Sequence, residues 1–134
     1  MAQIRHELKV QAARSDVLRA LTDRMALERW NRATVSGGPQ EWTLAYPDGP
    51  TFCWKVIAAT QDGVTWRCTD GPGDAKGTEV TFEISPADKG RTQIQVVHRG
   101  WGEADENFAK CNTLWAVLLG RLALEAEGFE IKKR

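Results

Sequence analysis

Hydrophobic and polar residues alternate from the start of the chain. Ile4, His6, Leu8 and Val10 share one phase, and Arg5, Glu7, Lys9 and Gln11 share the other. A period of two is the mark of a strand with one buried face. The period then lengthens. Ser15 offers an N-cap before DVLRALTD, whose Val17, Leu18 and Leu21 recur on one helical face. A second short helix, MALERW, follows and ends near Trp30, and Gly37-Gly38-Pro39 predicts a loop.

Beyond that loop the period returns to two. QEWTLAY, TFCWKVIA, GVTWRCT, TEVTFEIS and RTQIQVVH each alternate over part of their length. They are separated by the turn-rich segments Pro47-Asp48-Gly49-Pro50, Gln61-Asp62-Gly63, the Gly71–Gly77 loop and Pro86–Gly90. Connections this short join antiparallel neighbours, because a parallel crossover needs a dozen or more residues. After a loop at Gly100-Trp101-Gly102, one long helix is expected from Ala104 or Asp105. Glu103, Asp105 and Glu106 suit its positive N-terminal dipole, and Gly128 is a natural stop. Phe108, Cys111, Trp115, Leu118, Leu122 and Ala126 form its apolar stripe. The pattern is strand, two short helices, a run of strands and a long helix: an α+β chain, expected to be one domain over residues 1–134.

Trp30, Trp42, Trp54 and Trp66 stand twelve residues apart. Hairpin geometry explains the spacing. When consecutive strands fold back, Trp42, Trp54 and Trp66 become direct or diagonal cross-strand neighbours. Leu44, Phe52, Val56, Val64, Val80 and Phe82 share their phase, whereas Glu41, Lys55 and Arg67 hold the opposite one. The sheet therefore has one wet face and one aromatic face, and the long helix should lie across the aromatic side. Indoles so placed either fill a core or wall a pocket, and both readings stand at this stage.

Charge narrows the function classes. The 134 residues carry 18 basic and 18 acidic side chains, a balance that gives no field to collect phosphates, so nucleic acid is not expected as a partner. The basic tail Lys132-Lys133-Arg134 reads as a solubilising end. No apolar run approaches the roughly eighteen residues that span a bilayer, and the N-terminus lacks the apolar block of a signal peptide. Cys53, Cys68 and Cys111 form no CxxC. The expectation is a cytoplasmic protein with reduced thiols, no cofactor and no membrane insertion, as a monomer or a weak homodimer.

Three segments carry a family resemblance. DVLRALTDRMALERW (through Val17, Ala20, Leu21, Thr22 and Trp30), GTEVTFEISPADKGRTQIQVVHRGW (through Val80, Phe82, Gly90, Thr92 and His98) and LWAVLLGRLALEAEG (through Trp115, Leu119 and Leu122) stand in family order. The chain resembles the SRPBCC/START-like superfamily, and within it the branch named for the activator of Hsp90 ATPase homologue. Leu114 replaces the family's usual glycine before the tryptophan, and Leu18 stands where an aromatic residue is common. The resemblance implies a helix-grip fold: a curved antiparallel sheet wrapped around the C-terminal helix, with two short helices after the first strand and a ligand cavity between. Relatives include lipid carriers, hormone receptors, polyketide cyclases and chaperone regulators, and a shared fold does not choose among them.

The polar members of the apolar phase are candidate chemistry. In the resembled fold the first and last strands are neighbours, which would bring His6 and His98 together at one end of the barrel. Either is a candidate ligand anchor or, for His98, a general base; the plainer alternative is a buried histidine bonded to backbone or water. Asn112 beside Trp115 and Phe108 could meet a polar ligand end or point into water. Trp101 is a candidate lid or a loop anchor. The expected binding wall is therefore Trp42, Trp54, Trp66 and Phe82, roofed by Phe108 and Trp115, with His6, His98, Asn112 and Trp101 at its margins. Two histidines without a third ligand in phase fall short of a metal set. No GxSxG, carboxylate pair or phosphate loop is present. The leading expectation is a binding protein for a small apolar or aromatic molecule. The alternatives are a cyclase- or hydrolase-like enzyme and, ranked last, a chaperone-regulating module.

Overall fold

The computed structural model describes residues 2–47, 49–72, 75–101 and 106–128. The expected helix start at Ala104 or Asp105, the acidic Glu103 and the tail Lys132-Lys133-Arg134 lie outside those residues. In chain order the elements are β1 (Ala2–Val10), α1 (Arg14–Thr22), α2 (Arg24–Asn31), β2 (Thr34–Gly37), β3 (Glu41–Ala45), β4 (Thr51–Thr60), β5 (Gly63–Asp70), β6 (Glu79–Pro86), β7 (Thr92–Trp101) and α3 (Glu106–Glu127).

All seven strands form one curved antiparallel sheet in the order β1-β7-β6-β5-β4-β3-β2. Strands β2 to β7 are a meander, and only β1 departs from sequence order by pairing with β7. The α1–α2 connection carries the chain from one edge of the sheet to the other. α3 packs on α1, α2 and β1 and closes the concave side. This is the helix-grip fold.

Local chemistry explains the boundaries. Ser15 is not the cap of α1, because the helix begins one residue earlier and Ala13 is the N-cap. Asp16 supplies the missing side chain by accepting from the Ala13 N–H at 3.4 Å. Asp23 caps α2 by accepting from the Ala26 N–H at 3.0 Å. Trp30 donates its indole N–H to the Ala20 carbonyl at 2.8 Å, locking the two short helices together. Strand β2 replaces part of the expected loop: Gly37 pairs with Trp42 and only the residues after it turn. Gly38 has φ +92°, and a Cβ there would lie 2.2 Å from the Trp42 ring, so glycine is required on both counts.

The two faces of the sheet separate as the alternation predicts. Trp42, Leu44, Phe52, Trp54, Val64 and Trp66 are buried on the concave side. On the convex side Glu79 accepts from Arg67 at 2.8 Å and from Arg99 at 3.2 Å, a solvated ladder across three strands. Trp42 lies directly opposite Trp54, whereas Trp54 and Trp66 are diagonal neighbours. Fully burying a side chain of this class contributes about 2–3 kcal/mol, so the aromatic face is the main source of cohesion.

Two expectations need correction here. Trp101 is not in a loop and is no lid, because β7 continues through it to pair with Ala2 and its side chain is completely buried. Asn112 does not face the interior. It is exposed on the flank of α3, where it bonds His6 of β1.

Candidate functional site

A narrow, partly open cavity of about 20 Å³ lies between the sheet and α3. Leu44, Tyr46, Phe52, Trp54 and Trp66 line it from β3, β4 and β5, with His98 from β7 and Asn31 from the end of α2. Cys111, Leu114, Trp115 and Leu118 roof it from α3. Its size matches one water molecule, so the indoles have closed most of the space that the curvature of the sheet creates. Phe52 stacks on Trp54 at 5.8 Å with their planes 12° apart, and Trp54 meets Trp66 at 5.9 Å.

Of the expected wall, Trp54, Trp66, His98 and Trp115 do border the cavity. Phe82 stands behind it, edge-on to Trp66 at 4.9 Å and to Trp115 at 5.6 Å. Trp42 is turned onto Gly38, and Trp101 packs between His98 at 5.0 Å and Phe108 at 5.9 Å. None of Trp42, Phe82, Trp101 and Phe108 is among the lining residues. The sequence reading missed Asn31, Leu44, Tyr46, Phe52, Cys111, Leu114 and Leu118 as members of the site. Tyr46 continues the phase of Trp42 and Leu44 and could have been found that way. Asn31, as the last residue of a short helix, carries no such signal.

The two histidines share a strand pair without sharing a site. Ile4 lies opposite His98, and His6 lies opposite Val96, one step away on the diagonal. His6 bonds Asn112 across 2.9 Å at the half-buried edge. His98 belongs to a different network. The Trp115 indole N–H donates to His98 Nδ1 at 2.9 Å. An indole N–H can only donate, so Nδ1 is the unprotonated nitrogen and the ring proton is on Nε2. Nε2 then donates to Thr78 Oγ1 at 2.7 Å, and Thr78 donates onward to the Ala75 carbonyl at 2.6 Å. Burial pulls the His98 pKa from 6.5 down to about 4, so the imidazole is neutral at physiological pH. Both nitrogens are spent inside the protein, and His98 has neither a lone pair nor a proton left for a substrate. It braces α3 against β7 and the residue 75–78 turn.

The opposite end of the cavity is polar in another way. Tyr46 donates its hydroxyl to Asn31 Oδ1 at 2.8 Å, and Asn31 Nδ2 donates to the Leu27 carbonyl at 2.9 Å. Burial raises the Tyr46 pKa well above its ordinary value, which keeps the phenol protonated. Beside it Arg121 is drawn below the usual guanidinium range by burial and by the positive charge of Arg32, against an opposing pull from Tyr46. The Nε atom of Arg121 and the indole nitrogens of Trp42, Trp66 and Trp101 are buried without a hydrogen-bond acceptor among the described residues. Trp66 is the one of those indoles that lines the cavity.

Cys53, Cys68 and Cys111 form no disulfide, with Cys53 on the convex side and Cys68 on the concave one. Burial pushes the Cys68 thiol up to about 11, far from the thiolate a nucleophile needs. Among the described residues no group of three His, Cys, Asp or Glu side chains could hold a metal ion. No described helix is long and apolar enough to cross a membrane.

A curved sheet gripping a helix over an aromatic cavity defines a domain of the SRPBCC superfamily. Residues 11–127 match the family model described as Activator of Hsp90 ATPase homolog 1-like protein, and the chain belongs to that family. Among solved structures, it is similar to the Aha1 dimer from Colwellia psychrerythraea, with 27% identity and a TM-score of 0.84 over 96% of this chain and 98% of that one. It shares its fold with DynU16, a putative protein in the dynemicin biosynthetic locus, at 20% identity and a TM-score of 0.80; the match spans 98% of this chain and 49% of that one. CalU16 from Micromonospora echinospora is similar in fold at 17% identity and a TM-score of 0.76, over 98% of this chain and 69% of that one. No curated protein matches in sequence.

Proposed function

We propose that this protein binds a small apolar or aromatic molecule between the sheet and α3. The observation that carries the reading is the Trp66 indole N–H, buried in the cavity wall with no acceptor among the described residues. A buried unmet donor costs about 1–3 kcal/mol, and an occupant with a suitable oxygen would recover that. Aromatic walls on three sides supply the remaining affinity, at about 25 cal/mol per Å² removed from water. A cavity of about 20 Å³ admits such a molecule only if α3 moves outward, and Leu114 and Leu118 are the side chains that would be displaced. With both His98 nitrogens committed, general-base catalysis from that residue has no support.

Native mass spectrometry with 2-naphthylacetamide, a neutral aromatic amide, tests the reading. A saturable one-to-one complex that weakens at least tenfold on Leu118→Trp, which fills the cavity, is the expected result. No complex, or binding indifferent to that substitution, would refute it. Weak self-association is part of the same reading, supported by the dimeric state of the Colwellia relative. Sedimentation that stays monomeric up to millimolar protein would count against it.

A further inference from the structure

The outward face of α3 has a surface that contradicts its position. Ala109, Thr113, Ala116, Val117, Gly120 and Leu124 are exposed and recur at helical spacing, so they form one continuous stripe. Val117 is 52% exposed and Leu124 39%. The solvent side of a surface helix is ordinarily charged or polar, yet this stripe holds a single hydroxyl. Beside it, Leu114 and Val117 line an open apolar hollow together with Ala109, Lys110 and Thr113. Contiguous apolar surface of this kind marks a place of contact.

Gly120 adds an independent reason. Glycine inside a helix is destabilising relative to alanine, because its backbone loses more freedom on folding. A Cβ built on Gly120 meets nothing within 4 Å among the described residues. The isolated chain thus gains nothing from a glycine there. Two helices, in contrast, approach closely only where the side chains at their crossing are small. Ala116 and Thr113, one and two turns earlier on the same stripe, keep the approach open.

We propose that the outward face of α3 is where two copies of this chain meet, helix against antiparallel helix. This rests on the self-association in the reading above, which the dimeric Colwellia relative supports, and adds its surface. The stripe is self-complementary, as a twofold interface demands. With the axis between Ala116 and Val117, Leu124 reaches the partner's Ala109 and Thr113 meets the partner's Gly120, so each larger side chain faces a smaller one. At 1.5 Å per residue the stripe is about 22 Å long. One helix face of that length buries on the order of 300 Å² per partner, well under the roughly 800 Å² of a standard interface, and weak association follows.

Sedimentation velocity over a concentration series tests the proposal. The wild-type chain should pass from monomer toward dimer by millimolar protein. Gly120→Leu, which puts bulk at the crossing, and Val117→Asp, which puts charge there, should each weaken the dimer about tenfold or more. Ile57→Asp, at an exposed apolar site on β4, should change it less than about twofold. Gly120→Ala should raise the melting temperature of the dilute monomer, and a lower value would mean that the glycine serves the monomer and overturn the argument. Ala116→Cys should cross-link two copies under mild oxidation far faster than the wild-type chain does, whereas Ala109→Cys should not. Cross-linking through Ala109→Cys instead would overturn the antiparallel arrangement. A dimer that tolerates both Gly120→Leu and Val117→Asp would overturn the surface and leave self-association standing. A chain monomeric at every concentration would remove both, and shifts of the Val117 methyl resonances with 2-naphthylacetamide in such a monomer would assign the hollow to a ligand instead.

Discussion

The buried polar side chains around the cavity stand in two opposite states. At the β7 end, every hydrogen-bonding atom of Trp115, His98 and Thr78 side chains finds a partner in a chain that ends on the Ala75 carbonyl. The indole N–H groups of Trp66 in the cavity wall and of Trp101 beside His98 are buried with no acceptor among the described residues. Buried polar groups that are all satisfied hold a fold together, and those that are not mark places where structure alone gives no reason for the residue. The histidine that looked most like chemistry is the brace. The tryptophan of the cavity wall is the group with no acceptor among the described residues.

Substitutions can break this contrast. His98→Ala should have the largest effect, about 4 kcal/mol in urea unfolding, because it opens a void and strips both Trp115 and Thr78 of their partners. A loss under about 1 kcal/mol would mean that the network does not brace the fold. The pH dependence follows from the same residue. The native pKa is about 4 against 6.5 for the free side chain, so the unfolded chain binds more protons between those values. Stability is then complete above pH 6.5 and falls as pH drops toward 4, by about 3 kcal/mol in total. His98→Gln should flatten that part of the curve, which chemical denaturation at successive pH values would read directly.

Two tryptophan substitutions sharpen the comparison further. Trp115→Phe leaves His98 Nδ1 buried and unpaired, so it should cost about 2 kcal/mol. Trp66→Phe removes a donor with no acceptor among the described residues, which offsets much of the lost volume and should keep the change within about 1 kcal/mol. Denaturation midpoints that reverse the order of these two would contradict the assignment of satisfied and unsatisfied groups.

The fold was legible because its periods are clean. Alternation in β1 and β3 to β7 and the stripe on α3 carry the topology, and the family segments gave the strand order its closing β1–β7 pair. β2 escaped because Thr34–Gly37 is four residues long and ends in glycines that read as a turn. Trp101 misled for a similar reason: its flanking glycines suggest a loop, whereas pairing with Ala2 extends the strand through it. The site was only half legible. Phase tells which face a side chain takes, which placed Trp54, Trp66 and Trp115 correctly. It does not tell how far along the barrel a ring lies, so Trp42 and Phe82 were grouped with a wall they do not form. Asn31 and Tyr46 meet because the ends of α2 and β3 converge, and no local pattern records that. The same limit hid the partners of His98, since Thr78 and Trp115 lie 20 and 17 residues from it in the chain.

The most direct test of the account is a titration of 2-naphthylacetamide followed by the six tryptophan indole N–H resonances, assigned by single Trp→Phe substitutions. The account predicts saturable shifts at Trp54, Trp66 and Trp115, with Trp66 moving downfield as its N–H gains an acceptor and Trp30 and Trp42 unmoved. Shifts confined to Trp30, Trp42 or Trp101, or none at concentrations that bind, would contradict it.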